Sequence, residues 1–401
     1  MTTEAPAAER SKIAEVVSVF LRLGCSSFGG PVAHLGYFRA EVVEKRRWLD
    51  DAQYGDLVAL CQFLPGPASS QVVFALGMMR AGLAGAVAAS LCFTLPSALL
   101  MLGFARGVAL AGDLAHAGWL HGLKVAAVAV VAQAVWGMGR KLCPDRARVS
   151  LCLAAAAVLT VKASALTQVG VIALGGVAGW WLYRHEVAGS AVPTVARTPR
   201  RHALAAAALL TFVVLLVALP ALAAATSSRS LDELDSFYRS GSLVFGGGHV
   251  VLPLLHAELV PRGWLSDEQF LAGYGAAQAL PGPLFAFSAY LGATMNPGQP
   301  WLSGFWCLFA IFVPSWLLIG GALPFWQRLR AQRWAQAALA GTNAAVVGVL
   351  LAALYRPVIA EGIRTDRDVV ATLLAFGLLH HWKAPAWLVV IAMAGVGQWL
   401  L

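Results

Sequence analysis

The chain has 401 residues, 59% hydrophobic and 12% charged, and its 29 basic against 20 acidic residues leave a net charge of +9. A soluble domain carries about 25% charged residues, so this composition, with a mean hydropathy of +0.71, excludes that class and indicates a polytopic integral membrane protein. The positive balance fits basic cytoplasmic loops, is no argument for nucleic acid, and is compatible with an anionic substrate.

In chain order, residues 1–11 form a polar N-terminus. It lacks the basic start and apolar core of a signal peptide, so insertion is expected to rest on internal helices. A helical arm is predicted over about 12–27. It ends at Phe28-Gly29-Gly30, and Pro31 is placed to start the next arm. Asp50 followed by Gln53 reads as a helix N-cap with its capping-box partner. The arm it opens runs about 14 residues to Leu64, roughly 21 Å, too short for about 30 Å of hydrocarbon. Pro65-Gly66-Pro67 ends it, and Pro67 starts an arm to about Met79. Apolar runs at 83–105, 118–139 and 203–225 approach or exceed the roughly 20 residues that span a bilayer. A polar basic linker, about 184–202, precedes the last of these.

The chain then repeats itself at an offset of 216–219 residues. Phe20, Arg22, Gly24, Phe28, Gly29 and Gly30 meet Phe237, Arg239, Gly241, Phe245, Gly246 and Gly247. Glu41 meets Glu258. "RWLDDAQY" (47–54) meets "GWLSDEQF" (263–270), "QFLPGP" (62–67) meets "QALPGP" (278–283), and "LPSALL" (95–100) meets "VPSWLL" (313–318). "VKAS" (161–164) meets "WKAP" (382–385). The organisation expected is two homologous repeats, 12–183 and 231–401, joined by a segment 184–230 that holds the extra helix 203–225. Arg39, Lys45, Arg46 and Arg47 crowd 39–47, whereas the matched 256–264 holds only Arg262. The loop 107–117 has no Lys or Arg, whereas 324–334 holds Arg328, Arg330 and Arg333. The basic bias therefore swaps sides. The fold predicted is all-α, with two inverted repeats and broken or re-entrant helices, as in many secondary transporters.

Four breaks in two matched pairs suggest a ligand site. Non-helical backbone at membrane depth is tolerated where it is buried in protein or lines a wet cavity. Helix starts offer N–H groups and a positive dipole end to an anion. The other reading is close glycine packing or a kink. The candidate contacts are Phe28, Gly29, Gly30, Pro31, Pro65, Gly66 and Pro67 in copy one, with Phe245, Gly246, Gly247, Pro281, Gly282 and Pro283 in copy two. Gln62 and Gln278 precede the PGP turns and could donate to substrate. Ser69, Ser70 and Gln71 follow the first turn, where copy two has Phe285, Ala286 and Phe287; the polar first copy is the better contact candidate, the other reading being serines that cap and pack the helix. Arg22 and Arg239 occupy matched positions in apolar surroundings; they suit an oxyanion or snorkel to the interface. Lys162 and Lys383 bind anion or mark interfacial turns, and Glu41 and Glu258 pair with bases or couple protons. His34 and His249 read as packing or interface residues. The spacings Gly103–Gly107 and Gly175–Gly179 read as helix-packing pairs. Six scattered cysteines give neither a disulfide framework nor a metal site. The chain has no GxxxxGK[ST], HExxH or GxSxG, so neither enzyme chemistry nor a cofactor is expected.

"SFGGPVAHLGYFRAEVVEKRRWLDD", "CQFLPGPASSQVVFALGMMRAGLAG" and "QALPGPLFAFSAYLGA" resemble the chromate transporter family in its two-domain, long-chain form. The resemblance covers about 12–183 and 231–401. It implies chromate efflux across the bacterial inner membrane, driven by the ion gradient and conferring chromate resistance. Sulfate has the same shape and charge, so uptake or exchange of sulfate or another oxyanion is the alternative. The resemblance places the family's motif positions at Gly29, Gly30 and Pro31, at Pro65, Gly66 and Pro67, and at Pro281, Gly282 and Pro283. Copy two departs from it with Gly248 in place of the proline. The partners expected are the anion and the lipid bilayer, with a homodimer admissible and no nucleic acid.

Overall fold

The computed structural model describes residues 4–111, 118–162, 164–183, 199–226, 228–245, 248–325 and 332–400. Every regular element there is helical. Copy one contributes α1 (Glu4–Ser26), α2 (Gly30–Arg39, continued by a π-helical turn Ala40–Lys45), α3 (Asp51–Phe63), α4 (Ala68–Ala111), α5 (Gly118–Leu142), α6 (Arg146–Val161) and α7 (Ala165–Tyr183). The connector is α8 (Pro199–Thr226). Copy two supplies α9 (Arg229–Ser242), α10 (Val251–Leu259), α11 (Asp267–Gln278), α12 (Phe287–Met295), α13 (Pro300–Ala322), α14 (Arg333–Ala353), α15 (Asp366–His380) and α16 (Ala386–Trp399). Short 3-10 turns, Gly248–Val250 and Leu284–Ala286, lead into α10 and α12.

The short arms start as the sequence dictates. Gln53 N donates to Asp50 Oδ1 at 2.8 Å and Asp50 N donates to Gln53 Oε1 at 3.2 Å. Ser266 and Gln269 form the same box, both bonds at 3.1 Å. These boxes satisfy donors that a helix start leaves free. The arms that follow have 13 and 12 residues, about 20 Å and short of a full span. α4 is 44 residues long but leaves helical geometry at Ala81 and Gly82, close to the predicted end at Met79. In copy two the same point opens into the loop 296–299, which separates α12 from α13.

Six described helices are long and apolar enough to cross a membrane: α4, α5, α7, α8, α13, and α14 with its extension to Gly362. The connector α8 is the least buried of them. Its Leu204, Leu210, Val213, Val217 and Leu222 are exposed, a surface suited to lipid. The copies interlock, with α5 on α15 and α16, and α14 on α6 and α7. The crossings use matched glycines. A Cβ on Gly179 would stand 2.5 Å from Gly341 N, and one on Gly397 would stand 2.5 Å from Gly122 N. The packing role expected of Gly175–Gly179 is met, whereas a Cβ on Gly103 or Gly107 would meet nothing within 4 Å. That second pair faces open space, because glycine spacing does not say which way a helix face points. Gly341→Val is therefore expected to cost about 1–3 kcal/mol through overpacking. It would show as a lower melting temperature of the solubilised protein, with Gly107→Ala unchanged.

Candidate functional site

The four breaks meet, and they do so reciprocally. α1 stops at Ser26, and Gly29 (φ +95°) and Gly30 (φ +75°) carry the chain through the left-handed region that favours glycine. Pro31 then sits in the first turn of α2. The PGP turns use the same freedom, with Gly66 at φ +119° and Gly282 at φ +91°. Gly66 N donates to Val244 O, just before Phe245, at 2.7 Å. Gly282 N donates to Ser27 O, just before Phe28, at 2.9 Å. Each copy's PGP turn thus docks on the other copy's FGG break. The serines of "LPS" and "VPS" follow suit. A Cβ on Gly66 would lie 2.5 Å from Ser315 Oγ, and one on Gly282 would lie 2.8 Å from Ser97 Oγ. A Cβ on Gly248 would lie 3.3 Å from Pro31 Cγ and 3.7 Å from Leu284 Cδ2, which joins the remaining starts. Phe28 is partly buried and its ring lies 5.6 Å from that of Trp387. Phe245 is partly buried, and Gly246 and Gly247 lie outside the described residues.

The interior of this junction is polar. Gly66, Pro67, Ser69, Ser70, Pro281, Gly282 and Pro283 are buried, and Pro65 partly so. Ser27 Oγ, His34 Nδ1, Ser70 Oγ, Gln71 Oε1 and Ser315 Oγ are buried without a hydrogen-bond partner. An unmet buried polar atom costs about 1–3 kcal/mol, and such a cluster is accounted for by a polar ligand or water. The N–H groups of Gly66 and Gly282 are spent on carbonyls of the opposite copy.

The predicted charges gather elsewhere. Arg22 forms an ion pair with Glu41, and Arg239 Nη2 lies 3.1 Å from Glu258 Oε2. The two matched residue pairs of the repeat are thus partners. Arg239 also holds Asp235 at 2.5 Å, and Arg46 holds Glu41 at 2.6 Å. These pairs tie α1 to the turn after α2, and α9 to α10. The arginines, read as oxyanion ligands or as snorkelling to the interface, are paired with carboxylates, and Arg22 is half exposed. Lys162 caps α6 and is exposed, and Lys383 is exposed in the α15–α16 turn with φ +53°. Both are exposed turn residues. Gln62 is exposed, whereas Gln278 is partly buried with Nε2 unpartnered. His249 Nδ1 meets Tyr274 Oη at 2.7 Å. A separate cleft of about 650 Å³ beside the 296–299 loop is lined by Arg229, Glu233, Asn296, Ser303 and Trp306. Its polar groups satisfy one another: Asn296 donates to Glu233 at 2.8 Å and meets Ser303 Oγ at 2.6 Å, and Arg229 pairs with Glu233 at 3.0 Å.

Sequence reasoning missed Ser27, Ser97 and Ser315 as parts of the junction, and assigned His34 to packing or the interface. A usable signal existed for two of them, since both copies keep a serine directly after the proline in "LPSALL" and "VPSWLL".

The family described as "Chromate transporter" matches residues 14–180 and 231–398. A "Chromate transport protein" of Pseudomonas aeruginosa is 30% identical, over 95% of this chain and 91% of that protein. A "Probable chromate transport protein" of Synechococcus elongatus is 27% identical, over 96% and 95%. One from Cupriavidus metallidurans, "Chromate transport protein", is 28% identical, over 90% and 85%. No solved structure matches. On the strength of two matched regions that cover most of its length, the chain belongs to the chromate transporter family.

Proposed function

We propose that this chain is a secondary transporter that exports chromate across the bacterial inner membrane, using the membrane potential and the proton gradient, and so confers chromate resistance. One observation carries the reading. Four interrupted helices from two copies dock reciprocally around buried polar atoms that have no protein partner. Broken helices at a repeat interface are the usual architecture of a transporter binding site. Chromate as cargo is supported by the names of the relatives. Export is favoured by electrophoresis: an anion leaving an inside-negative cell gains about 2.3 kcal/mol per charge per 100 mV.

The basic bias that swaps sides between copies supports inverted repeats, with the odd helix α8 turning the second copy over. On this reading the paired hairpins α1–α3 and α9–α11 open alternately on opposite faces. Each moves as a unit because its own Arg–Glu pair closes it. The test is chromate accumulation in inverted membrane vesicles containing the protein, with sulfate as competitor. Energised accumulation that collapses when the potential and pH gradient are dissipated is the expected result. Accumulation unchanged by dissipation would overturn the energy coupling. Movement of sulfate without chromate would overturn the substrate.

A further inference from the structure

His34 is fully buried on α2, one turn past the first break. Its Nε2 lies 3.1 Å from Ser27 O. A carbonyl only accepts, so Nε2 carries the hydrogen, and in the neutral ring Nδ1 is then an acceptor. That Nδ1 is buried and has no partner. Gln71, also fully buried, repeats the pattern at the other turn. Its Nε2 donates to Pro65 O at 2.7 Å, which fixes the amide and leaves Oε1 as an unpartnered acceptor. Both residues are anchored at the junction by their donor nitrogens. Ser27 O also receives Gly282 N, and Gln71 Nε2 lies 2.6 Å from where a Gly66 Cβ would stand.

Both acceptors belong to copy one alone. The matched positions in copy two are Val251 and Phe287, and both are fully buried. The hydroxyls of Ser27 and Ser70 also become Val244 and Ala286. The junction therefore has a two-fold backbone, with these two acceptors on one side only. Hydroxyls can donate to any oxyanion. An unpartnered acceptor cannot be met by a bare dianion, whose oxygens all accept. It can be met by an oxyanion that still carries a proton.

We propose that the junction binds a singly protonated tetrahedral oxyanion, whose one O–H is received by one of the two unpartnered acceptors, His34 Nδ1 or Gln71 Oε1, in place of water. This deepens the transport reading above and rests on it. Chromate is a weak enough acid in its second step to be protonated near neutral pH, and sulfate is not. The acceptors thus separate two anions of the same shape, as sites with unpaired polar groups reject ligands that leave them unmet. The groups packed around His34 do not supply the missing hydrogen. Its ring neighbours are Phe38 and Phe93, Arg39 pairs with Glu44 and Asp51, and Tyr54 Oη donates to Leu35 O.

The experiment is chromate transport by the full chain in liposomes from about pH 6 to pH 8, with sulfate as competitor. Wild type is expected to half-saturate at lower total chromate as pH falls, with sulfate a poor competitor. Of His34→Val and Gln71→Leu, the one that removes the receiving acceptor is expected to lose about tenfold or more in that preference. His34→Gln, which keeps an acceptor, is expected to retain part of it. Ser288, on α12, is a buried copy-two hydroxyl without a partner, and Ser288→Val is expected to leave the preference unchanged. Half-saturation of wild type that is independent of pH would overturn the proposal and leave the transport reading standing. So would His34→Val and Gln71→Leu variants that keep the preference. Variants that do not fold still leave the wild-type pH series decisive. Wild type that moves no chromate at any pH would sink the transport reading itself.

Discussion

Gly66→Ala is expected to reduce chromate transport by about a hundredfold, because it displaces the docking surface rather than a single contact. The turn sits at φ +119°, where a side chain is strained. The added methyl would lie 2.5 Å from Ser315 Oγ and 2.6 Å from Gln71 Nε2. The Gln71 amide cannot yield without giving up its bond to Pro65 O. The strain falls on the hydrogen bond from Gly66 N to Val244 O, which joins the copies. Gly263→Ala is the control. Gly263 also has a positive φ, but nothing lies within 4 Å of its Cβ position, so it bears only about 1–2 kcal/mol of left-handed strain. Initial rates in vesicles, normalised to folded protein, separate the two.

Arg239→Ala is expected to lose folded protein rather than anion affinity. It strands Asp235 and Glu258, both buried, and removing one partner of a buried pair costs about 3–5 kcal/mol. Arg262 still reaches Glu258 at 3.3 Å, but Asp235 has no second base among its ion pairs in the described residues. The matched residue in copy one is Ser18. Adding Asp235→Ser should therefore restore much of the melting temperature lost in Arg239→Ala. Arg22→Ala should be milder, because Glu41 keeps Arg46 at 2.6 Å and Lys45 at 3.8 Å. A double-mutant cycle on melting temperature checks all three.

What could be read from the sequence was what local chemistry decides. Asp50–Gln53 and Ser266–Gln269 announce helix starts because a capping box closes within four residues. Proline and glycine announce the breaks for the same reason. The repeat itself is a one-dimensional pattern. Partner choice was not legible. Nothing in "QFLPGP" says that its glycine will donate to Val244, some 180 residues later, because that register is set by how two copies interlock. The arginines show the same limit. Arg22 and Arg239 were visible as matched, and so were Glu41 and Glu258, but only the packing of α1 against the turn after α2, and of α9 against α10, makes them partners. His34 looked like a packing residue because one ring on an apolar helix carries no sign of which nitrogen is satisfied.

The anion is expected to sit where the PGP turn of one copy meets the FGG break of the other. The most direct measurement is the rate at which a small thiol reagent modifies Ser315→Cys, in a transport-competent variant whose six native cysteines are replaced by alanine. Saturating chromate is expected to slow this modification several-fold, and the protection is expected to fade when Gly66→Ala is added. A modification rate indifferent to chromate, in protein that still transports it, would contradict the claim and place the anion elsewhere.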